Sequence, residues 1–516
     1  MRRLLKSSLL AMTAAVSTAL PGGAAAKARD ARPNVIVIIA DDLGYGDTGA
    51  YGSPIVRTPN IDALARDGVR FTQAYATHPV CSPSRAALMA GRVQTRFGYE
   101  FNPAGRDRVK GVSRAERLLP QLMRDKGYQT AIIGKWHLGQ PIGYHPLDRG
   151  FDSFFGLLGG ATSFLTRYAS GDGSYMPPGA GLSFGQAEGI TVDADASEEQ
   201  VMAQLRRGSP ILRDRREVEV ADYLTDAFTT AAVDLIGQQL DRPLFLYLAH
   251  PAPHTPLQAT RKYMDRYAHI TDPGKRVYAA MVSALDDSIG AIRAKLVETG
   301  QADNTLIIFT SDNGCARYVL GACTNAPLSG FKRDHLEGGI RIPFIAVWPG
   351  RIPRGVVSDQ VVSNLDILPT AVSGARGRVP ATAEGLDLVR LMGRAARQPV
   401  PRTLYWRSGP NFAIRDGNWK LWIANRRDPA APIMTETALV PDGTKATVSA
   451  LGQHVMLYDL ATDPGEKRNV AEANPQVVAQ LRAKLARWDR GNTDPQWTSM
   501  RQTTMRYDNQ DLMVYP

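Results

Sequence analysis

Residues 34–40 read Asn-Val-Ile-Val-Ile-Ile-Ala, an apolar run with no polar alternation. A strand with one wet face alternates. A strand without alternation must be covered on both faces, the condition met by a parallel sheet between helix layers. Three further runs, Thr130-Ala131-Ile132-Ile133, Leu244-Phe245-Leu246-Tyr247-Leu248-Ala249 and Thr305-Leu306-Ile307-Ile308-Phe309-Thr310, have the same character. Helical spacing lies between them, at Leu224, Phe228, Ala231 and Leu235, and again at Val277, Met281, Ile289, Ile292 and Leu296 over 276–298 before Gly300. Strands that alternate with helices in this way predict an α/β fold with a large, mostly parallel sheet flanked by helices.

Open α/β sheets bind ligands beyond the carboxyl ends of their strands. Each run here ends in polar residues: Asp41-Asp42-Leu43-Gly44, Lys135-Trp136-His137, His250-Pro-Ala-Pro-His254, and Ser311-Asp312-Asn313-Gly314. Adjacent carboxylates repel unless a cation or a shared proton relieves them. Asp41, Asp42, Asp312 and Asn313 offer side-chain oxygens with no Cys/His cluster beside them, which points to a hard cation, calcium first and magnesium second. Turn chemistry explains one aspartate before Gly44, less readily two plus Asp47. The prolines around His250 and His254 limit the directions in which those rings point.

Cys81-Ser82-Pro83-Ser84-Arg85 is the other unusual stretch. It follows the turn-prone His78-Pro79 and precedes an apolar run to Gly91, so Cys81 is expected at a helix amino terminus, where the dipole favours an anion. A lone thiol placed there is read as modified or reactive, against the plainer reading of a buried helix-capping cysteine.

Cys-x-Pro-Ser-Arg followed by Gly91-Arg92 resembles the signature of the type I sulfatases, of the alkaline-phosphatase-like superfamily. Four more blocks are similar to that family in family order: Asp41-Asp42-Leu-Gly-Tyr-Gly-Asp47 with Thr58-Pro-Asn-Ile-Asp62, Gly134-Lys-Trp-His-Leu-Gly139, Ser311-Asp-Asn-Gly314, and 328–343 with Lys332 five residues before Glu337-Gly338-Gly339. The resemblance covers about 33–150 and 220–490. It implies that Cys81 is oxidised by a formylglycine-generating enzyme to Cα-formylglycine, whose hydrate is the nucleophile. It further implies that Asp41, Asp42, Asp312 and Asn313 bind one calcium ion, that Lys135 and Lys332 hold the sulfate, and that Arg85 orients the residue derived from Cys81. His137 would act as the base that regenerates the aldehyde, and His254 or Lys332 would protonate the leaving group. His250 is the secondary choice for that histidine.

At 516 residues the chain exceeds one ordinary domain. Arg2, Arg3 and Lys6, then 9–20, then Gly22-Gly-Ala-Ala-Ala26 follow the order of a secretory signal peptide over 1–26, with a loosely spaced twin arginine. The expectation is export to the periplasm or beyond, without stable membrane insertion. Loss of the leader strips three positive charges and takes the formal charge from +11 to +8. Such a surface suits a polyanion, and with no nucleic-acid motif present a sulfated glycan is the expected partner and fits the charge as well as nucleic acid would, the plainer reading of any one cluster being a solvated basic surface.

The catalytic domain is expected over 33–397, with surface insertions near 160–217, and a carboxy-terminal subdomain over 398–516. Strands at 403–406, 411–415, 419–423 and 454–459 and a helix from Asn474-Pro475 make the latter a small antiparallel sheet plus helix. A capping box is expected to start a helix at Ser113 with Glu116. Arg96, Phe97, Tyr99, Phe101, Arg106, Arg108 and Lys110 are expected to mix sugar platforms with cations, the alternative being aromatics in the core. Cys315 and Cys323 are expected to pair in an oxidising compartment.

The substrate expectation is a sulfated polysaccharide or its oligosaccharides, of carrageenan, ulvan or glycosaminoglycan type. A general arylsulfatase, a phosphate or phosphonate monoester hydrolase of the superfamily, and a non-catalytic binder of sulfated glycans stand as rivals.

Overall fold

The computed structural model describes residues 32–103, 110–175, 197–238, 240–319, 321–394, 399–428, 438–439, 451–499 and 501–515. The leader, Arg106 and Arg108 lie outside the described residues.

A ten-stranded sheet is built from β1 (Asn34–Ala40), β2 (Val69–Phe71), β3 (Gln129–Lys135), β4 (Ser153–Leu157), β5 (Leu212–Arg213), β6 (Arg216–Glu217), β7 (Leu244–Ala249), β8 (Thr305–Ser311), β9 (Phe344–Val347) and β10 (Val356–Ser358), in the order β10-β2-β9-β8-β1-β7-β3-β4-β5-β6. The centre β8-β1-β7-β3-β4 is parallel, and antiparallel pairings lie toward the edges.

Both faces of the centre are dry. Ile36, Ile38 and Ala40 join one apolar core, whereas Val35, Val37 and Ile39 join the other. Leu246 and Leu248 of β7 and their neighbours Phe245 and Tyr247 divide in the same way. Successive side chains point to opposite faces, so an unbroken apolar run serves two cores at once. Helices α1 (Pro59–Asp67), α5 (Leu224–Gly237) and α6 (Pro273–Glu298) pack the first core. Helices α2 (Cys81–Ala90) and α3 (Leu119–Asp125) pack the second.

Two helix starts differ from expectation. Helix α3 begins at Leu119, not near Ser113, with Gln121 Oε1 accepting from the Leu118 amide at 2.9 Å. Pro120 has no N–H to donate and is tolerated only in a first turn, so a helix begun at Ser113 would have broken there. Ser113 instead makes a short turn, and Glu116 pairs with Arg92. Helix α6 begins at Pro273, capped by Asp272, whose carboxylate accepts from the Lys275 amide at 2.9 Å.

The region 160–217 is not all surface insertion. Phe164 and Leu165 are core residues, α4 (Glu198–Gly208) buries Val201, Met202 and Leu205, and β5–β6 extend the sheet edge. Its middle, 176–196, lies outside the described residues.

The small sheet is antiparallel: β11 (Thr403–Ser408), β12 (Asn411–Asp416), β13 (Trp419–Arg426), β14 (Ala438–Leu439), β15 (Gln453–Asp459), β16 (Arg501–Tyr507) and β17 (Gln510–Val514). One face takes Leu481, Leu485 and Trp488 of α7 (Pro475–Asp489). The other face packs Trp406, Trp422 and Met456 against Tyr75, Leu336 and Ile340, close behind the Lys332 loop.

Candidate active site

Strands β1 and β8 are parallel neighbours with Ala40 opposite Ser311, so the polar pairs that follow them leave the sheet side by side. The Asp312 amide donates to the Ala40 carbonyl and the Asp42 amide to Asp312 Oδ1, each at 3.2 Å. Asn313 Nδ2 donates to Asp42 Oδ1 at 2.7 Å. Lys135, the last residue of β3, reaches across β7 to place Nζ 2.6 Å from Asp41 Oδ2. Lys332 comes from the loop after β8, its Nζ 2.8 Å from Asp42 Oδ1. His254, in the stiff loop after β7, has Nε2 3.6 Å from Asp42 Oδ2.

Cys81 opens α2, whose residues are buried throughout, and its Sγ lies 3.9 Å from Asp42 Oδ1. Ser82 Oγ donates to the His137 carbonyl at 2.5 Å and meets Tyr99 Oη at 2.7 Å, which ties the helix start to the loop after β3. Arg85, one turn on, donates to Asp312 Oδ2 (2.9 Å from Nε) and to the Lys135 carbonyl (3.3 Å), so it braces the carboxylates.

Three carboxylates thus face three basic side chains, Arg85, Lys135 and Lys332, in a desolvated cluster. Burial pushes Asp42 up, but Lys332 and His254 outweigh it and hold the carboxyl well below the usual range. Burial pushes Asp41 up to about 7 despite Lys135, the mark of a carboxylate short of positive charge. Burial drives His254 down to about 3 and His137 well below its ordinary value. His254 Nδ1 lies 2.6 Å from the Thr255 carbonyl and donates to it, so Nε2 is the ring atom turned toward Asp42. Burial pushes the Cys81 thiol up to about 12, which makes the unmodified side chain a poor thiolate nucleophile.

The donor set fits a hard cation. Asp41 Oδ1 and Asn313 Oδ1 are buried acceptors that receive no hydrogen bond, oxygens that a bound hard cation would take up. Backbone strain gathers here as well: Asp42, His137 and Arg333 hold φ of 63°, 58° and 87°. Non-glycine residues in that region cost about 1–3 kcal/mol each and persist where surrounding structure enforces them.

The structure therefore brings together Cys81, Arg85, Lys135, Lys332, His254, Asp41, Asp42, Asp312 and Asn313, with His137 within electrostatic reach of the cations. His250 turns away to Ser288 Oγ at 2.9 Å. Asp47 holds a turn, accepting from the Gly44 and Thr324 amides and Tyr278 Oη. The platform expectation is corrected: Phe97, Tyr99 and Phe101 are buried in the core, and Arg96 pairs with Glu384. Apolar rings gain more from core burial than from a wet cleft.

Sequence reasoning missed Tyr318, whose hydroxyl donates to Asp42 Oδ2 at 3.0 Å. The available signal was its place inside the Cys315–Cys323 loop, which is closed by a disulfide next to Asp312 and Asn313.

A doubly covered sheet with this charged cluster at its strand ends, joined to a small antiparallel sheet, defines a hydrolase of the alkaline-phosphatase-like superfamily. The model of the Sulfatase family matches residues 33–377, and the chain belongs to that family as a sulfuric ester hydrolase. It is 33% identical over 470 residues to N-acetylgalactosamine-6-sulfatase of Sus scrofa, covering 87% of this chain and 84% of the relative. It is 32% identical to Arylsulfatase A of Homo sapiens, covering 92% and 89%. Among solved structures it is similar to Ps i-CgsB in complex with k-i-k-neocarrahexaose, at TM-score 0.73 and 31% identity, covering 90% and 94%. It is also similar to the PsFucS1 sulfatase from Pseudoalteromonas sp., at TM-score 0.69 and 28% identity, covering 91% and 93%.

Proposed function

We propose that this chain is an exported, formylglycine-dependent, calcium-binding sulfatase that removes sulfate from a sulfated polysaccharide or its oligosaccharides. The observation that carries the reading is Cys81 at the amino end of α2 beside Asp42, ringed by Arg85, Lys135 and Lys332. A sulfate monoester resists attack because its oxygens carry negative charge, and a site that accepts it must supply positive charge first.

The formylglycine made from Cys81 would supply a hydrate hydroxyl as nucleophile and, through its second hydroxyl, a route to release sulfate without attack by water. Calcium on Asp41, Asp42, Asp312 and Asn313 would supply electrophilic neutralisation of the sulfate oxygens. The chain's own residues do the rest. Lys135 and Lys332 bind sulfate oxygens, each held in place by an aspartate, Asp41 for Lys135 and Asp42 for Lys332. Arg85 braces Asp312 so that the oxygen cradle holds its shape. Lys332 carries a proton at Nζ that can pass to the leaving oxygen. His254 takes that role only when its Nε2 is charged, which a bound anion would favour. His137 would take up the proton that sulfate release requires.

The glycan reading is supported by the carbohydrate named in the Ps i-CgsB complex, by the N-acetylgalactosamine-6-sulfatase relative, and by the basic net charge. Among the described residues no helix is long and apolar enough to cross a membrane. Peptide mass spectrometry of active enzyme tests the core of the proposal. Conversion of Cys81 to formylglycine is expected, with loss of essentially all sulfate release in Cys81→Ala. Fully active enzyme carrying only unmodified cysteine would refute it. Sulfate release from a panel of sulfated glycans and an aryl sulfate, with matched phosphate and phosphonate esters, tests the substrate class.

A further inference from the structure

Arg317 lies in the short turn Arg317–Val319, within the disulfide loop and next to Tyr318. Its guanidinium carbon sits 5.2 Å from the Phe331 ring centre and 5.6 Å from that of Tyr507. Its NH2 group donates to Tyr507 Oη at 2.9 Å, while its Nε is buried and has no acceptor. The residue is half-buried, and among the described residues no carboxylate forms an ion pair with it. Asp334, fully buried, lies behind Tyr507: its Oδ2 accepts from Tyr507 Oη at 2.6 Å, and its charge attracts the guanidinium across that hydroxyl without a direct ion pair.

A half-buried guanidinium whose carboxylate stands behind a tyrosine hydroxyl, out of direct contact, keeps donors for another acceptor. This one is held between two rings, its orientation set in advance, so an arriving oxyanion would pay little to order it. The loop that carries Arg317 and the loop that packs Phe331 against it also serve the reacting centre. Tyr318, one residue on, reaches Asp42, and Phe331 precedes Lys332, which reaches the same carboxylate. Arg333, next to Lys332 in the same loop, has its guanidinium 5.4 Å from the Tyr318 ring.

We propose that Arg317 is the anchor of a second anion subsite, which binds a sulfate or carboxylate on a sugar neighbouring the one whose sulfate ester reacts. The preferred substrate is then a glycan with at least two anionic groups. This inference rests on the glycan reading above.

The test compares two sulfated galactan tetrasaccharides, one with a single sulfate and one with a second sulfate on the adjoining sugar, across wild type, Arg317→Ala and Arg317→Lys. A third tetrasaccharide carrying a carboxylate in place of the second sulfate identifies the anion. Wild type is expected to favour a doubly anionic substrate by about tenfold or more in kcat/KM, in the range of a charge-assisted bond. Arg317→Ala is expected to erase that preference, chiefly through KM, and to flatten the salt dependence on the doubly anionic substrate. Arg317→Lys, which keeps the charge but loses the planar fork, should retain part of it.

Equal losses on singly and doubly anionic substrates would show a structural role and overturn the proposal. A preference that survives in Arg317→Ala would overturn it too. Wild type that cleaves these oligosaccharides without preference overturns the subsite alone. Wild type that cleaves an aryl sulfate but none of them overturns the glycan reading and the subsite together.

Discussion

Replacing Lys420 with methionine removes the one ammonium that lies between Glu337 and Glu466. Its Nζ is 2.9 Å from an oxygen of each, and all three side chains are fully buried. Lys420 belongs to β13 of the small sheet, whereas Glu337 follows the Lys332 loop, so the ion triad joins the two sheets' territories beside the site. Glu337 keeps other donors, Tyr75 Oη at 2.6 Å and Arg341 NH1 at 3.3 Å. Glu466 keeps the Glu337 amide at 2.5 Å but loses its only cationic partner among the described residues.

Each attraction is about 6 kcal/mol at an effective dielectric constant of 20, largely offset by the desolvation of the ions. Removing one partner from a buried pair costs about 3–5 kcal/mol, because a charge is left behind. Glu466 can escape part of that cost by holding a proton, so the loss should be greater at pH 8 than at pH 5. Urea unfolding followed by tryptophan fluorescence reads it through the buried Trp406 and Trp422 of the same sheet. Adding Glu466→Gln should return a substantial share of the loss. A cost below about 1 kcal/mol at pH 8, or no recovery in the double variant, would refute the reasoning.

The same cluster shapes the pH dependence. Burial and the Glu337 charge outweigh Lys420 and push Glu466 up to about 8, so the native state holds its proton more tightly than the unfolded chain, and stability should fall as pH rises from about 4.5 to about 8. Burial is outweighed at Glu337 by Lys420, Arg341 and Arg415, which hold it to about 2, so acid below about 4.5 should also destabilise. Glu466→Gln is expected to flatten the alkaline limb, and melting curves across pH that leave that limb unchanged would contradict the assignment. Gly314→Ala should abolish activity far more than it lowers expression, since a Cβ there would lie 1.8 Å from the Gly338 carbonyl oxygen and displace Asn313; wild-type turnover would contradict this. Stripping with a strong chelator should lower both the melting temperature and sulfate release, and calcium at 100 times its Kd should restore about 2.7 kcal/mol. Unchanged melting and turnover after chelation would count against the oxygen cradle of Asp41, Asp42, Asp312 and Asn313.

The α/β architecture was legible in the sequence because strands buried on both faces leave an unmistakable apolar run, as in 34–40, and the polar residues that end such runs must sit at one edge of the sheet. The site was legible for the same reason: Asp41, Asp42, Lys135 and Asp312 each stand directly at or after a strand's last residue, so local order already placed them. Other features depend on contacts between segments far apart in the chain. Strand β16 reads Arg-Gln-Thr-Thr-Met-Arg-Tyr, without the pattern of a buried strand, and is held by pairing with β17. Whether Phe97, Tyr99 and Phe101 face water or core is decided by the packing partners they meet, not by their spacing. Arg85 bonds Asp312, 227 positions away, and Tyr318 reaches Asp42, 276 positions away, through distances that only the closed fold creates. The local chain set which groups stand at the strand ends. Tertiary packing decided which charges meet, because an ion pair is made by distance in space and carries no periodicity along the sequence.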